Sequence, residues 1–493
     1  MITKGLEPQD VLYYFEQISG IPRPSGKEEA IGDYLIAFAK EHDLEYHRDA
    51  ANNVILIQEA SPGRESDPPI LLQGHMDMVC EKESGCTKDM DKEGLDLALD
   101  GDWLYAEGTT LGGDDGIAVA MMLALLSDPA LSHPRLECVI TTEEETGMDG
   151  AHALDPSPLR GRQLLNIDSE EEGILTVGCA GGEGFCVHLP LTFEEAEGIR
   201  VRITLDDLTG GHSGIEIHRN RANADLLLLR VLRMLQADMP IRLCDIRGGS
   251  KNNAIPRTSE ATLLVDDASV LAERLSSIES VLRTEYAVTD PELKLFCAPD
   301  ETGTAGEGAA SAGDGRNRAK ALTADCLHTV FTLFAALPNG VERMDQHLPE
   351  QTETSLNLGI LYMENDELYA EYLMRSSLAS RMEELDARMA LIVDALGGTV
   401  TRGDQFPAWE YVADSPLRDK MIRLFREQYQ KDPVVETVHA GLECGLLAEK
   451  LPGLDAVSIG PNLIGIHTPE EKMSISSVQR VYHYVRTIIE DRA

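Results

Sequence analysis

The spacing of apolar residues changes near Gly184 and again near Arg402. Before Gly184, short apolar runs of buried-strand type alternate with stretches that show helical spacing of apolar residues. The runs predicted to be strands cover 54–57, 70–72, 136–140 and 164–167. The stretches predicted to be helices cover 10–18, 28–42 and 117–126. Buried apolar strands separated by helices predict an α/β sheet with helices on both of its faces.

After Gly184 the predicted strands become alternating and half-exposed. A first round has strands over 187–190, 199–205 and 261–265, and amphipathic helices over 224–236 and 271–286. A second round has helices over 325–337 and 382–396, and strands over 354–362 and 367–376. Two such rounds predict a separate α+β domain with an internal duplication, although no sequence repeat supports the duplication. Residues 301–317, rich in Gly and Ala, are expected to be a loop of this domain.

After Arg402 the first pattern returns. Helices are predicted over 417–430, 441–450 and 474–489, with Ser474 as a candidate N-cap, and a strand over 456–459. A chain of 493 residues is too long for one ordinary core. We therefore expect residues 1–187 and 403–493 to form one discontinuous domain, and residues 188–402 to form a domain inserted into it.

The formal charge of −42 narrows the classes of partner. Nucleic acids and anionic membranes require a basic surface, so neither is expected as a partner. The nine cysteines include no CxxC pair, which favours a reduced, intracellular protein. The N-terminal segment has no continuous apolar region of the kind a signal peptide carries. The apolar run 117–126 is too short to cross a bilayer, so we expect a soluble cytoplasmic protein.

Five histidine and acidic side chains lie just past predicted strands or apolar runs. They are His75, Asp114, Glu145, Asp168 and His467. Imidazole nitrogens and carboxylate oxygens suit a divalent ion such as zinc. Sites on open α/β sheets form at the carboxyl ends of the strands, where residues far apart in sequence converge. Two further acids, Asp77 and Glu144, lie beside the candidates, and five ligands with two unliganded acids suit a two-metal hydrolase.

Each candidate also has a simpler local explanation. Asp114 follows two glycines and could be an ordinary helix N-cap. Three adjacent glutamates, which include Glu145, are usually solvated. Asp168 could be a turn residue, and a lone loop histidine such as His467 is more often structural. Only the whole set, taken in order along the chain, favours a metal site.

The segments around these residues match one family in order, spacing and flanking residues. They are GHMDMVCEK, the stretch 106–121 with LGGDDGIAVAM, TTEEETGMDGA, LLNIDSEEEG with VGCAGG, and IGIHTPEEKMSI. With them the chain resembles the M20 metallopeptidases, and most closely their cytosolic dipeptidases of the aminoacyl-histidine dipeptidase or peptidase D type. The resemblance spans nearly the whole chain. It implies a zinc-peptidase (phosphorylase/hydrolase-like) catalytic domain with a mixed sheet, and an inserted lid of two ferredoxin-like halves.

The resemblance also implies a ligand set. His75 and Asp168 would bind one zinc ion, Glu145 and His467 would bind the other, and Asp114 would bridge them. Two Zn²⁺ per subunit are therefore expected. Co²⁺ or Mn²⁺ are alternatives that nitrogen and oxygen ligands also accept.

Two acids beside the ligands receive roles from the same resemblance. Asp77 would orient His75, as a carboxylate behind a ligating histidine commonly does. Glu144 would be the general base, which should not itself be tied to metal. Family members often hold a cis peptide after the bridging aspartate, here between Asp114 and Asp115. Many relatives have Asn at the position of Asp115, so this chain adds a negative charge there.

The inserted domain carries the remaining candidates that the resemblance implies. His212, in GGHSGIEIHRNRANA, would stabilise the oxyanion. Asn253, Arg375 and Gly441 would hold the backbone and terminal carboxylate of the substrate, and Arg suits a carboxylate because its fork binds bidentately. His439 is either a site residue or a turn residue.

The implied reaction is hydrolysis of dipeptides, Xaa-His and others, by a two-zinc-activated water with a glutamate base. Another M20 activity, such as tripeptidase, carboxypeptidase or N-acyl amino-acid deacylase, is the alternative. A non-catalytic peptide or metal binder on the same fold is a third reading. The expected partner is a small peptide, and a homodimer through the lid domain is left open, because such relatives occur as monomers and as dimers.

Overall fold

The structure is a computed structural model that describes residues 1–300 and 316–492. The chain forms two compact units. The first contains Met1–Cys179, Trp409–Thr437 and Leu442–Ala493, and the second contains Ala180–Ala408 and Val438–Gly441. The loop expected over 301–317 lies, except for its last two residues, outside the described ranges.

The chain passes between the units at positions other than 187 and 403. The second unit begins at Ala180 because the whole strand Gly181–Pro190 pairs with Glu367–Ser376. It extends to Ala408 because Thr399–Phe406 pairs with the other side of Gly181–Pro190. Val438–Gly441 also belongs to the second unit, where the Ala180 N–H donates to the Val438 carbonyl at 3.0 Å. Strand pairing, which residue patterns do not reveal, decides these boundaries.

The first segment of the first unit alternates helices and strands, as its apolar spacing predicts. Its helices are α1 (Gln9–Ser19), α2 (Glu29–Glu41), α3 (Gly113–Ser127), α4 (Glu144–Gly147) and α5 (Asp149–Ala153). Its strands are β1 (Glu45–Arg48), β2 (Val54–Gln58), β3 (Ile70–His75), β4 (Leu97–Asp100), β5 (Trp103–Ala106), β6 (Leu136–Thr141), β7 (Gln163–Asn166) and β8 (Ile174–Cys179). Every residue of β3 and β6 is buried. Burial on both faces explains why apolar residues in these strands do not alternate with exposed polar ones.

The second unit is an antiparallel sheet with helices packed against it. Its strands are β9 (Gly181–Pro190), β10 (Phe193–Asp206), β11 (Gly211–His212), β12 (Ile241–Gly249), β13 (Ala254–Ile255), β14 (Ser259–Val265), β15 (Lys294–Pro299), β16 (Asn317–Leu322), β17 (Gly340–Met344), β18 (Thr352–Glu364), β19 (Glu367–Ser376) and β20 (Thr399–Phe406). Its helices are α6 (Ala224–Asp238), α7 (Ala268–Glu285), α8 (Ala324–Ala336) and α9 (Ala379–Ala395), with a 3₁₀ turn at Ile217–Arg219. One hydrophobic core joins these helices to the strands.

Two βαββαβ halves make up the large sheet of the second unit. Its strand order is β15-β10-β14-β12-β18-β19-β9-β20, and β16 and β17 pair at its sides. One half contains β10, α6, β12, β14, α7 and β15, and the other contains β9, α8, β18, β19, α9 and β20. In both halves the fourth strand lies beside the first, and the third lies between the first and the second. The expected pair of ferredoxin-like halves is therefore present, with one half inserted after the first strand of the other.

The last part of the chain completes the first unit. It adds α10 (Pro416–Tyr429), β21 (Val434–Val438), α11 (Glu443–Lys450), β22 (Asp455–Ser458), β23 (Leu463–Ile464), β24 (Lys472–Ser474) and α12 (Ile475–Glu490). The main sheet has the order β1-β2-β6-β3-β7-β22-β8-β21. It is mixed, because β3 runs parallel to β6 and β7 while β2 runs antiparallel to β6. The smaller sheet β23-β24-β5-β4 is antiparallel.

Ser474 is the N-cap of α12, as predicted, since its Oγ accepts the Ser477 N–H at 3.2 Å. In the described part of the chain, no helix has both the length and the apolar character that a membrane crossing requires.

Candidate metal centre

Three of the five candidate ligands follow neighbouring parallel strands of the first unit. His75 is the last residue of β3, Glu145 lies in α4 just after β6, and Asp168 follows the end of β7. Because β6, β3 and β7 are adjacent and parallel, their carboxyl ends lie at one edge of the sheet. Asp114 lies at the start of α3, and His467 lies between β23 and β24. The structure brings all five side chains together.

Asp114 is at the centre of the group. Its Oδ1 lies 3.0 Å from Nε2 of His75, and its Oδ2 lies 3.1 Å from Nε2 of His467. Nε2 of His75 also lies 3.5 Å from Oδ1 of Asp168. Nε2 of His467 also lies 2.9 Å from Oε2 of Glu145. Each oxygen of Asp114 thus points to a different histidine, and each histidine has a second carboxylate beside it.

Among residues 1–300 and 316–492, two sets of ligand atoms are compact enough to hold an ion. Those of His75, Asp114 and Glu145 lie within 4.8 Å of one another, as do those of His75, Asp115 and Asp168. The second set contains Asp115, a residue that the sequence did not assign as a ligand. Asp115 is fully buried and its Oδ2 accepts the His75 N–H at 3.3 Å. The Asp114–Asp115 peptide bond is cis, as the resemblance implies.

The two histidines are surrounded by acids. Burial opposes the charged form of His75, but Asp168 and Asp114 raise its pKa well above the usual value. Hydrogen bonds to Asp114 and Glu145 raise the pKa of His467 to about 10. A raised histidine pKa shows that this position favours positive charge.

The acids show the same surplus of negative charge. Burial raises the pKa of Asp168 to about 7, with Asp114 and Glu170 adding to the shift. Burial, with the charge of Asp168 added to it, also raises the pKa of Asp115 well above its usual value. This shift favours the neutral carboxyl, which reduces the extra negative charge expected at Asp115. The pKa of Asp114 instead falls below its usual range despite burial, because both histidines donate to it.

These residues fit a divalent metal ion. Imidazole nitrogens and carboxylate oxygens are the donors that zinc and similar ions take in proteins. Oε1 of Glu145 is buried and, among the described residues, has no hydrogen-bond partner. A buried polar atom of this kind calls for a partner such as an ion. The excess of carboxylates over histidines supplies the negative charge that a cation would offset.

Asp77 supports the group from behind His75. Its Oδ1 lies 3.2 Å from Nδ1 of His75, the nitrogen that does not face Asp114. It also accepts the N–H groups of Glu144 and Glu145 at 3.1 and 3.3 Å, and the Ser25 hydroxyl at 2.7 Å. One carboxylate therefore orients a candidate ligand and holds the start of α4.

The three adjacent glutamates after β6 are separated by the backbone. Glu143 has a φ of 51°, in the left-handed region, so the chain turns sharply there. Glu144 belongs to neither compact set of ligand atoms in the described residues. Burial raises the pKa of Glu144 well above its usual value, and the neighbouring acids Asp168 and Glu443 add to the shift. A carboxyl with a raised pKa is suited to take up and release a proton near neutral pH.

The candidates in the second unit form a cluster of their own. Nδ1 of His212 accepts the N–H groups of Gly214 and Ile215 at 3.1 and 3.2 Å. The hydrogen of its neutral ring is therefore on Nε2, which is a donor. Burial, with Arg375 beside it, lowers the pKa of His212 and keeps the ring neutral. Asn253 lies close to His212, because the Asn253 carbonyl accepts the N–H of the adjacent residue Ser213 at 2.9 Å.

Gly214 is tightly packed between the other residues of this cluster. A Cβ at Gly214 would lie 2.1 Å from the His439 carbonyl, 3.0 Å from Cε1 of His212 and 3.1 Å from Nε of Arg375. Nε2 of His439 is 2.7 Å from the Ser355 hydroxyl, and burial lowers the pKa of His439 to about 3. The segment that contains Gly441 is part of the same unit. His439, whose role the sequence left open, is thus a buried neutral residue of the cluster.

The sequence analysis did not identify three buried charged residues that lie near the candidate ligands. They are Arg23, Glu443 and Glu471. Glu443 accepts from Gln73 and from the Thr141 hydroxyl, and burial raises its pKa to about 8. The position of Glu443 between the apolar residues Leu442 and Cys444 could have predicted its burial from the sequence. No local signal separates Glu471 from its solvated neighbour.

Known proteins resemble this chain along nearly its whole length. A family model described as Peptidase family M20/M25/M40 matches residues 71–491. The cytosol non-specific dipeptidase of Escherichia coli is 35% identical over 490 residues, which covers 99% of this chain and 98% of that protein. The crystal structure of the aminoacylhistidine dipeptidase from Vibrio alginolyticus has a TM-score of 0.88 and 32% identity, and covers 100% of this chain and 99% of that chain.

A more distant solved structure shares only the fold. A tripeptidase from Staphylococcus aureus has a TM-score of 0.55 and 15% identity, with 98% of each chain covered. The family match and the two closer relatives confirm the family that the sequence segments resemble. The chain belongs to peptidase family M20/M25/M40.

Proposed function

We propose that this chain is a metal-dependent dipeptidase that hydrolyses Xaa-His and other dipeptides with two zinc ions. One observation carries the proposal: the two oxygens of Asp114 point to different histidines, as a carboxylate shared by two cations requires. The Escherichia coli and Vibrio alginolyticus relatives, both named as dipeptidases, support this class of substrate.

The ligand roles follow the two sides of Asp114. His75 and Asp168 would hold one ion on the side of Oδ1, and Glu145 and His467 would hold the other on the side of Oδ2. Two divalent cations bound there would supply Lewis-acid polarisation of the peptide carbonyl and activation of water. Zinc suits this donor set, and Co²⁺ or Mn²⁺ are accepted by the same donors.

The side chains of the protein would perform the proton transfers. Glu144 would take a proton from the water that attacks the peptide carbonyl, and would give it to the amine nitrogen when the C–N bond breaks. Asp77 would keep Nε2 of His75 directed at its ligand position. Nε2–H of His212 would donate to the developing oxyanion. Arg375, Asn253 and Gly441 would bind the backbone and terminal carboxylate of the substrate.

The first test is the substitution Glu144→Gln, with Glu143→Gln as the matched control. Loss of the general base is expected to lower kcat by about 10²- to 10⁴-fold. The metal content, measured by elemental analysis, is expected to stay at the wild-type value, because Glu144 is not a proposed ligand. Near wild-type kcat in Glu144→Gln would remove this residue from the mechanism.

The substrate class is tested with the chelator-treated chain reloaded with Zn²⁺, Co²⁺ or Mn²⁺. We expect turnover of Gly-His, Ala-His and other dipeptides, with slower turnover of tripeptides and N-acyl amino acids. Faster cleavage of tripeptides, of the C-terminal residue of longer peptides, or of N-acyl amino acids would assign one of the other M20 activities. Bound metal without turnover of any of these substrates would assign a peptide or metal binder.

The proposal includes a cytosolic location, supported by the name of the Escherichia coli relative. A monomer and a homodimer through the second unit are both compatible with the proposal, and sedimentation analysis would distinguish them.

A further inference from the structure

Two buried charged side chains hold the turn that carries Asp114. Glu471 is 2% exposed, and its carboxylate accepts four consecutive backbone N–H groups. Oε2 accepts those of Leu111 and Gly112 at 2.7 and 3.0 Å. Oε1 accepts those of Gly113 and Asp114 at 2.8 and 3.4 Å. The backbone of Asp114 is therefore fixed by a side chain from a distant part of the sequence.

Arg23 holds the same turn through a backbone carbonyl of the turn. This guanidinium is 1% exposed and donates to the Gly112 carbonyl at 2.5 Å. It also donates to the carbonyls of Met76 and Asp77, both at 2.9 Å. The segment just after His75 and the turn before Asp114 are thus tied to one side chain. Gly112 has a φ of 65°, and a Cβ there would lie 2.5 Å from Arg23, so only glycine fits.

The four N–H groups that Glu471 accepts precede the regular part of α3. Asp114 and Asp115 have non-helical backbone angles, with ψ of 110° and 33°, so the regular helix begins after them. Buried backbone N–H groups outside a helix or strand need another acceptor, and Glu471 supplies it for all four. The side chain of Asp114 takes no part in these contacts, and its two oxygens point to the histidines.

The same glutamate belongs to the turn that carries His467. Its N–H donates to the Thr468 carbonyl at 3.1 Å, and the Thr468 N–H donates to the Gly465 carbonyl at 3.2 Å. His467 has a φ of 60°, and its side chain is 46% exposed, so burial alone does not hold this ring in place. The side chain of Glu471 joins this turn to the Asp114 turn, so the spacing between the two ligands depends on it.

We propose that Glu471 and Arg23 are positioning residues that set the spacing of Asp114 to both histidines before a cation binds. The inference rests on the proposed metal centre. Residues behind metal ligands tune affinity by orienting the ligands, and a preformed site avoids the cost of ordering them. A purely structural role would instead affect folding and leave the metal affinity of the folded protein unchanged.

The decisive variant is Glu471→Gln, studied in the full chain after chelator treatment. The amide nitrogen cannot accept a hydrogen bond, so two of the four N–H groups lose their acceptor. We expect binding of Mn²⁺ and Co²⁺, measured by titration calorimetry, to weaken by about 10- to 100-fold. Glu471→Asp keeps the charge and is expected to restore part of the affinity. Glu470→Gln alters the exposed neighbour and is the matched control, with wild-type affinity expected.

Hydrogen exchange tests the inference in the wild-type chain itself. In the metal-free protein the amides of residues 111–114 are expected to be protected, because Glu471 holds them without metal. Wild-type affinity in a folded Glu471→Gln variant, or free exchange of these amides in the metal-free wild type, would overturn the inference. A wild-type chain that binds neither Mn²⁺ nor Co²⁺ overturns the proposed function, and the exchange measurement still decides whether Glu471 holds the turn.

Discussion

The two histidines of the candidate metal centre and the two histidines of the second-unit cluster have opposite electrostatic surroundings. In the first unit, acids raise the pKa of His75 well above its usual value and that of His467 to about 10. In the second unit, burial and Arg375 lower the pKa of His212, and they lower that of His439 to about 3. One residue type thus serves two chemical purposes. The first pair faces a place that attracts positive charge, and the second pair remains neutral.

The supports of the two histidine pairs differ in the same way. His75 lies between Asp77 and Asp114, and charged side chains behind them hold the turns. The rings of His212 and His439 are hydrogen-bonded to neutral groups, namely backbone N–H groups and the Ser355 hydroxyl, and Gly214 lies against both residues. The carboxylate of Glu216 accepts the backbone N–H of His212 at 2.9 Å, and the ring stays neutral because burial and Arg375 outweigh this charge. A cation site needs the first kind of support, because surplus negative charge lowers the cost of holding the ion. A neutral donor needs the second kind, because a carboxylate bonded to the ring would favour the protonated form.

Among the tests of this contrast between the two histidine pairs, Asp114→Asn is expected to have the largest effect. The change removes the charge that lies 3.0 Å from Nε2 of His75 and 3.1 Å from Nε2 of His467. In the metal-free protein, the pKa of His467 is expected to fall from about 10 toward its ordinary value near ~6.5, with Glu145 keeping part of the shift. Metal binding and turnover are expected to be lost together. Side-chain NMR titration measures the pKa, and the exposed Asp419→Asn is the control. Unchanged titration of His467 would contradict the role of Asp114.

A smaller effect is expected from Gly214→Ala in the second unit. The new Cβ would lie 2.1 Å from the His439 carbonyl, so the backbone at Gly214 or at His439 would have to move. Overpacking of this kind costs about 1–3 kcal/mol of unfolding free energy. Urea unfolding measures the loss. Ser213→Ala is the control, since the Ser213 hydroxyl is buried without a partner among the described residues. Equal stability of the two variants would show that the cluster is not tightly packed.

The smallest effect is the contribution of His439 to the pH dependence of the unfolding free energy. Its pKa is about 3 in the folded protein and about 6.5 in the unfolded chain, so between these values only the unfolded chain binds the proton. The contribution to stability is therefore complete above the unfolded pKa and is lost as the pH falls toward 3. We expect about 2 kcal/mol less unfolding free energy at pH 5 than at pH 7 from this residue.

His439→Gln is expected to remove that part of the pH dependence. Urea unfolding of the variant at pH 5 and pH 7 should give a smaller difference than the wild type gives. Equal differences in the two proteins would mean that His439 is protonated in the folded state and that the contrast between the units is wrong.

The fold was predictable where an element has its own apolar pattern. Strands β3 and β6 and helices α2 and α6 lie within a few residues of their predicted bounds. The exposed strand β1 and the largely exposed β20 were missed, because their residues are stabilised by pairing with a neighbour. The unit boundaries were displaced for the same reason. The stability of such strands comes from the partner strand, and their own residues carry no signal of it.

The site was predictable to the extent that its residues follow apolar strands. His75, Glu145 and Asp168 follow buried strands, and the order of the segments added Asp114 and His467. Which glutamate of the three after β6 faces the ligands depends on the left-handed turn at Glu143. Arg23 and Glu471 were missed, because a buried charge is recognised only by the distant backbone groups that satisfy it.

By itself, the sequence determined the family, and it predicted an inserted domain and a set of candidate metal ligands. These properties depend on local composition and on the order of segments along the chain. The tertiary structure decided which oxygen of Asp114 faces which histidine, which histidines stay neutral, and which buried charges hold the turns. These properties depend on distances and burial, and charges interact through space according to distance and surroundings, whatever their separation in sequence.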